Sequence, residues 1–213
     1  MKQVNVSKYL MMFVVCVLFF YTQNTKAIEC ETGWQSFSFQ AVDPNTGCNY
    51  AFEFCYICNG AGPSLNGSIR YNDPIPLDDN CGTADYDWAN DQIVDQYVNL
   101  CQIPPCDQGT LQMTHELPLC RKWIHTAYEN PPGTWHINDY KQTCLDSDYL
   151  CVTTYEICID PVTGDWDIDE NTITHTISGT PDCLLEQPEI GGPILENWES
   201  KCWIDYECPP IFD

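Results

Sequence analysis

The stretch Cys48-Asn-Tyr-Ala-Phe-Glu-Phe-Cys55 decides how the chain is read, and Cys151-Val-Thr-Thr-Tyr-Glu-Ile-Cys158 is its counterpart. Each sets two cysteines seven positions apart, with aromatic and β-branched residues between them that favour an extended strand. In the first, Tyr50, Phe52, Phe54 and Tyr56 share one face, the expected core side. Seven is an odd number of steps, so Cys48 and Cys55 face opposite sides of a sheet. About 23 Å of strand also separates them, beyond disulfide reach. They need different partners: Cys101 for one, and Cys30 or Cys81 for the other.

Outward from these strands the cysteine spacing repeats. The successive steps Cys55 to Cys81, Cys81 to Cys101 and Cys101 to Cys106 are matched within one residue by Cys158 to Cys183, Cys183 to Cys202 and Cys202 to Cys208. An internal repeat of this kind predicts one module, duplicated. Residues 28–106 then form module A, 107–118 a linker, and 119–213 module B. The expected fold class is α+β and disulfide-rich. Two tandem modules are expected, each a small antiparallel β-sheet with one helix stapled to it.

In module A, alternation from Trp34 to Val42, the turn Asp43-Pro-Asn-Thr-Gly47 and the Cys48 strand predict a hairpin. Ala84 to Leu100 has helical spacing, with Trp88, Ile93, Val94, Tyr97 and Val98 along one stripe. In module B, 13 extra residues before Cys151 predict a hairpin arm around Pro131-Pro-Gly133 and Trp135 to Tyr140. Strands are expected at Tyr149 to Cys158, Trp166 to Asp169 and Thr172 to Ser178, and a helix at Pro193 to Cys202. Asp160-Pro-Val-Thr-Gly164 nearly copies the earlier turn. It follows the paired-cysteine strand instead of preceding it, and the cysteine alignment takes precedence over it here, because turn motifs recur by chance.

Residues 1–27 read as a signal peptide, removed after Ala27: Lys2 and Lys8 precede an apolar run from Tyr9 to Tyr21, and Thr25-Lys26-Ala27 supplies small residues. That run is too short for a membrane span, which needs about 20 residues. Beyond residue 27 there remain five Lys and Arg against 31 acidic residues, a balance of −26. Such a charge repels nucleic acid and anionic membranes and attracts cations or basic partners. Fourteen cysteines also remain: Cys30, Cys48, Cys55, Cys58, Cys81, Cys101, Cys106, Cys120, Cys144, Cys151, Cys158, Cys183, Cys202 and Cys208. In an exported chain this even count reads as up to seven disulfides. Each module holds seven, so at least one bridge must cross between modules. The unmatched pair, Cys58 and Cys144, is the expected one. Asn66-Gly-Ser68 is a sequon in a host that glycosylates.

Few residues suggest chemistry. The run Asp165-Trp-Asp-Ile-Asp169-Glu170 has the opening spacing of a calcium loop. It lacks the glycine at the sixth position and the acidic residue at the twelfth. The strand reading, with Trp166 and Ile168 inward and three aspartates outward, is favoured. Asp160, Asp165, Asp167, Asp169 and Glu170 are nevertheless kept as candidate calcium ligands, and no other cofactor is expected. No nucleophile, metalloprotease or nucleotide motif is present, and His115, His125, His136 and His175 are dispersed. No catalytic residue is assigned and no enzyme is expected.

With a Trp soon after the first cysteine of each module and expected helices ending in Cys101 and Cys202, the pattern resembles Cys-rich secreted proteins of bacteria. The resemblance implies export and no particular activity. The expected function is a secreted, strongly acidic, disulfide-stabilised binding or interaction protein. Its partner is a protein or a glycan, with no nucleic acid and no membrane insertion after signal removal. The alternatives are a calcium-dependent or carbohydrate-binding surface protein, and a secreted hydrolase inhibitor whose reactive element is the Cys101–Cys106 loop.

Overall fold

In the computed structural model the described residues are 30–58, 66–144, 147–189, 191–205 and 208. The expected signal peptide, with its cleavage site after Ala27, lies outside them. The first hairpin forms as the alternation dictates. Strands β1 (Gln35–Val42) and β2 (Asn49–Ile57) pair antiparallel from Gln35 opposite Tyr56 to Val42 opposite Asn49. Tyr50, Phe52, Phe54 and Tyr56 are all buried. Strand β3 (Asn66–Tyr71) and the two-residue β4 (Ile75–Pro76) both pair with β2.

The helix α1 (Tyr86–Leu100) starts where Asp85 accepts a hydrogen bond from the Trp88 amide at 3.0 Å. A capping carboxylate there satisfies one orphan N–H and complements the helix dipole. Ile93, Val94 and Tyr97 are buried on the sheet. A side chain at Gly67 in β3 would run into the Tyr97 hydroxyl and sit 2.7 Å from the Met113 sulfur, so glycine is what lets the helix approach.

Beyond the helix the two-module fold is overturned. The expected linker, 107–118, contains β5 (Leu111–Pro118), which lies parallel to β3 and antiparallel to β8 (Leu150–Ile159). With β9 (Trp166–Ser178) the order is β1-β2-β3-β5-β8-β9, and β4 makes the seventh strand of one sheet. The linker reading fails because Leu111, Met113, His115 and Leu117 alternate inward and are buried. The molecule is therefore mostly β-sheet, and not two α+β units.

The expected second helix is also absent. Pro193 to Cys202 holds a turn and the short strand β10 (Trp198–Glu199), paired with β6 (Cys120–Glu129). Ile194 and Leu195 are 69% and 47% exposed, so no buried surface stabilises a helix there. The predicted arm does form: β6 and β7 (Trp135–Thr143) make a hairpin. With β10 and β11 (Trp203–Ile204) they build a second, four-stranded sheet.

The bridges are Cys30–Cys55, Cys48–Cys81, Cys58–Cys101, Cys106–Cys158, Cys120–Cys183, Cys144–Cys202 and Cys151–Cys208. Cys48 and Cys55 do take different partners, Cys81 and Cys30, but Cys101 is neither of them: it bonds Cys58, just after β2. One bridge crosses the expected module boundary, as parity requires, but it is Cys106–Cys158 and not Cys58–Cys144. The spacing repeat does not extend to pairing. Cys48 bonds Cys81, whereas its counterpart Cys151 bonds Cys208 and not Cys183. The element that does recur is the turn set aside in the cysteine alignment. Gly47 donates to the Asp43 carbonyl at 2.8 Å and Gly164 to Asp160 at 2.9 Å, both glycines with positive φ, at 75° and 80°.

Candidate binding surfaces

Alternation along the strands gives the seven-stranded sheet two unlike faces. The inner face packs on α1. The outer face carries a row of hydroxyls across four strands: Ser68 pairs with Thr114, Thr114 with Thr154, and Thr154 with Thr174. Neighbouring positions in the row are about 4.8 Å apart by strand spacing. The Thr154 and Thr174 hydroxyls are 2.5 Å apart. Flanking rows place Arg70 opposite Glu116 and Gln112 opposite Glu156, and Glu156 directly opposite Asp169. Ser68, Arg70, Thr114, Glu116, Thr154 and Glu156 are half-buried, and Gln112, Thr174 and Asp169 are exposed.

Arg70 is the one Lys or Arg in strands β1, β2, β3, β5, β8 and β9. Its guanidinium is held by Glu116 at 2.5 Å and Glu31 at 2.7 Å. Burial opposes its charge, but the two carboxylates outweigh it and raise its pKa. Glu156 accepts from the Thr110 hydroxyl at 2.6 Å.

The calcium candidates lie on the β8–β9 hairpin, with Trp166 and Ile168 half-buried and Asp165, Asp167 and Asp169 exposed. Asp160 accepts from the Val162 amide at 2.7 Å and Asp169 from the Asn171 amide at 3.0 Å, so both serve turn geometry. Among the described residues, the groups of three ligand-type atoms within 4.8 Å are Cys151, His175 and Cys208, and Cys120, Asp182 and Cys183. In both, the two sulfurs are bonded to each other. Glu156, the carboxylate facing Asp169, is absent from the sequence-based set. Only the strand register brings it there.

The Cys101–Cys106 loop is held internally. Pro104 accepts from the Ile159 amide at 3.0 Å, and the Cys106 amide donates to Ile159 at 2.9 Å. Its backbone extends the edge of β8 and is not presented as a free reactive segment.

The four histidines occupy three environments. His115 is fully buried in β5, against Tyr71 with ring centres 5.0 Å apart, and neither ring nitrogen has a hydrogen-bond partner among the described residues. Burial pushes its pKa down to about 3. His175 Nδ1 lies 2.9 Å from the Thr153 hydroxyl. On the arm, His125 and His136 share one arrangement. His125 faces Asp139 at 2.6 Å through Nδ1 and the Ile194 carbonyl at 2.9 Å through Nε2, and stacks on Trp198. His136 faces Asp79 through Nδ1 and the Asn130 carbonyl at 2.5 Å through Nε2, and stacks on Tyr128. With acceptors on both nitrogens, only the protonated ring satisfies every contact.

A buried ion network joins the two sheets. Arg121 is buried and pairs with Asp73, and Asp205 lies 3.5 Å from it. The Thr143 hydroxyl donates to Asp73 at 2.9 Å, and Lys141 reaches Asp205 at 2.9 Å. Conformation, not sequence spacing, brings these residues together. No protein-family model matches the chain, and neither does any curated protein or solved structure.

Proposed function

We propose that the protein is a secreted, disulfide-stiffened binding protein that offers the outer face of its seven-stranded sheet to a basic partner protein. The observation that carries this reading is the contrast between the two faces. One is occupied by α1. The other sets the Ser68–Thr114–Thr154–Thr174 row among Glu53, Glu116, Glu156, Asp167 and Asp169, with Arg70 already neutralised. Arg121, Lys122 and Lys141 are likewise paired within the chain. Beyond residue 27 there are 31 acidic residues against five basic ones, so a surplus of 26 has no Lys or Arg to pair with. Such a field steers cationic partners and accelerates their encounter. A sheet stiffened by disulfides loses little conformational freedom on binding.

Export is part of the same reading. Seven disulfides persist in oxidising compartments, and no helix among the described residues is long and apolar enough to cross a membrane. A calcium-dependent variant rests on Glu156 facing Asp169, since like charges directly opposite destabilise a sheet unless a cation lies between them.

Calorimetric titration with an oligolysine peptide tests the reading. Saturable one-to-one binding is expected, several-fold weaker for Glu156→Gln with Asp169→Asn and unchanged for Asp87→Asn with Asp91→Asn on α1. Equal binding by both variants means that bulk charge alone is responsible and contradicts a site on the outer face. Calcium that raises the melting temperature beyond sodium chloride of equal ionic strength identifies the variant reading.

A further inference from the structure

The two outermost strands of the large sheet are unlike. Strand β9 carries Asp167, Asp169 and Glu170, and its register shifts between Thr154 and Glu156 of its neighbour. Charge and irregularity of this kind are how proteins keep an edge from pairing with another chain. Strand β1 has neither. From Thr32 to Val42 there is no charged residue and no proline, in a chain of formal charge −23. Its eight residues pair with β2 in unbroken register, and among the described residues no strand pairs with its other edge.

The side chains of β1 are already set for a further strand. Phe39 stacks on Phe52 with ring centres 4.6 Å apart, and Phe37 meets Phe54 edge-on at 5.7 Å. Both remain half-buried, whereas Ser36, Ser38 and Gln40 are exposed on the opposite face. The charges that flank the strand are Glu31 and Asp43. The Asp43 side chain is buried and engaged by the Asn45 amide and the Thr46 hydroxyl.

We propose that β1 pairs antiparallel with β1 of a second copy of this chain, about a two-fold axis at Ser38. The strand is complementary to itself in that register. Phe37 comes opposite Phe39 of the second copy and Ser36 opposite Gln40, so around the axis each face keeps its character, and Gln35 meets the small Ala41 at the ends. The symmetry is closed: each copy uses the β1 edge of its large sheet, and the charged β9 edges are left outermost, which stops further growth. A foreign strand would need only one matching partner sequence, whereas the palindromic alternation of polar and aromatic residues about Ser38 suits a copy of itself. Mutual repulsion between two chains that each carry a balance of −26 beyond residue 27 opposes the pairing, so salt strengthens it. That dependence is opposite in sign to the binding of a basic partner on the outer face.

Sedimentation equilibrium of the disulfide-intact protein, across protein concentration and at low and high sodium chloride, tests the pairing. A monomer–dimer equilibrium that shifts toward dimer with salt is expected. Ser36→Glu with Gln40→Glu sets carboxylates opposite each other in the dimer, on exposed positions of the monomer. This variant is expected to stay monomeric throughout with an unchanged melting temperature. A wild type that remains monomeric at high salt overturns the proposal, as does a dimer that survives the double substitution. A wild-type assembly that grows beyond two copies overturns the closed symmetry.

Discussion

Cys106 and Cys158 are bonded with their Cα atoms 4.9 Å apart, tying the turn after α1 to the end of β8. This bridge joins chain segments on either side of β5, the strand that makes the sheet continuous. Cys106→Ala with Cys158→Ala opens a loop of 52 residues, an expected loss of about 4 kcal/mol in the chain-entropy account. Peptide mapping without reduction should recover Cys106 with Cys158. A peptide linking Cys58 to Cys144 contradicts the fold.

The Arg121 network gives a second prediction. Arg121→Met leaves Asp73 and Asp205 buried without their guanidinium, and urea denaturation should show a loss of about 3–5 kcal/mol. Adding Asp73→Asn should recover part of it. Equal stability of the single variant and wild type would mean that the network does not hold the two sheets together.

His115 should contribute to the acid limb of stability. Its folded pKa is depressed to about 3, so the unfolded chain takes up the proton first. Stability should fall as pH drops below about 6.5, by about 1.4 kcal/mol per pH unit until the folded value is reached. His115→Phe keeps a ring against Tyr71 and should flatten that slope between pH 6 and 4. An unchanged slope would place the acid sensitivity elsewhere.

His125 and His136 act in the opposite sense. Burial lowers the His125 pKa, but the Asp139 hydrogen bond and the Ile194 carbonyl outweigh it, and the net shift is upward. The Asn130 carbonyl and Asp79 raise that of His136. Their contribution is complete below about pH 6.5 and is lost as pH rises through the raised values. Hydrogen exchange around Ile194 and Asn197, corrected for intrinsic rates, should therefore be slower at pH 6 than at pH 8. His125→Phe should remove the difference while keeping the stack on Trp198. No pH dependence in wild type would show that the ring is not protonated in the fold.

Much of the local structure was legible in the sequence. The alternation of Tyr50, Phe52, Phe54 and Tyr56 gave the core face of β2, and parity correctly separated the partners of Cys48 and Cys55. The stripe through Ile93, Val94 and Tyr97 gave α1. The tertiary arrangement was harder to read. Leu111, Met113, His115 and Leu117 alternate in the same way, but Gly109 and Pro118 flank them as linker residues would. Parallel pairing with β3 has no local signature. Ile194, Leu195 and Trp198 share helical spacing by coincidence, and only the pairing of Trp198 with His125 decides the segment. The outer-face site depends on Glu156 meeting Asp169 and on the hydroxyl row, both of them products of register.

The proposed function rests on the outer face being the binding surface. Amide chemical-shift mapping of the isotope-labelled protein during titration with an oligolysine peptide addresses it most directly. Perturbations should concentrate at Ser68, Thr114, Thr154, Glu156 and Thr174, with α1 unaffected. Perturbations centred on Asp87, Asp91 and Asp95 of α1, or none at saturating peptide, would contradict it.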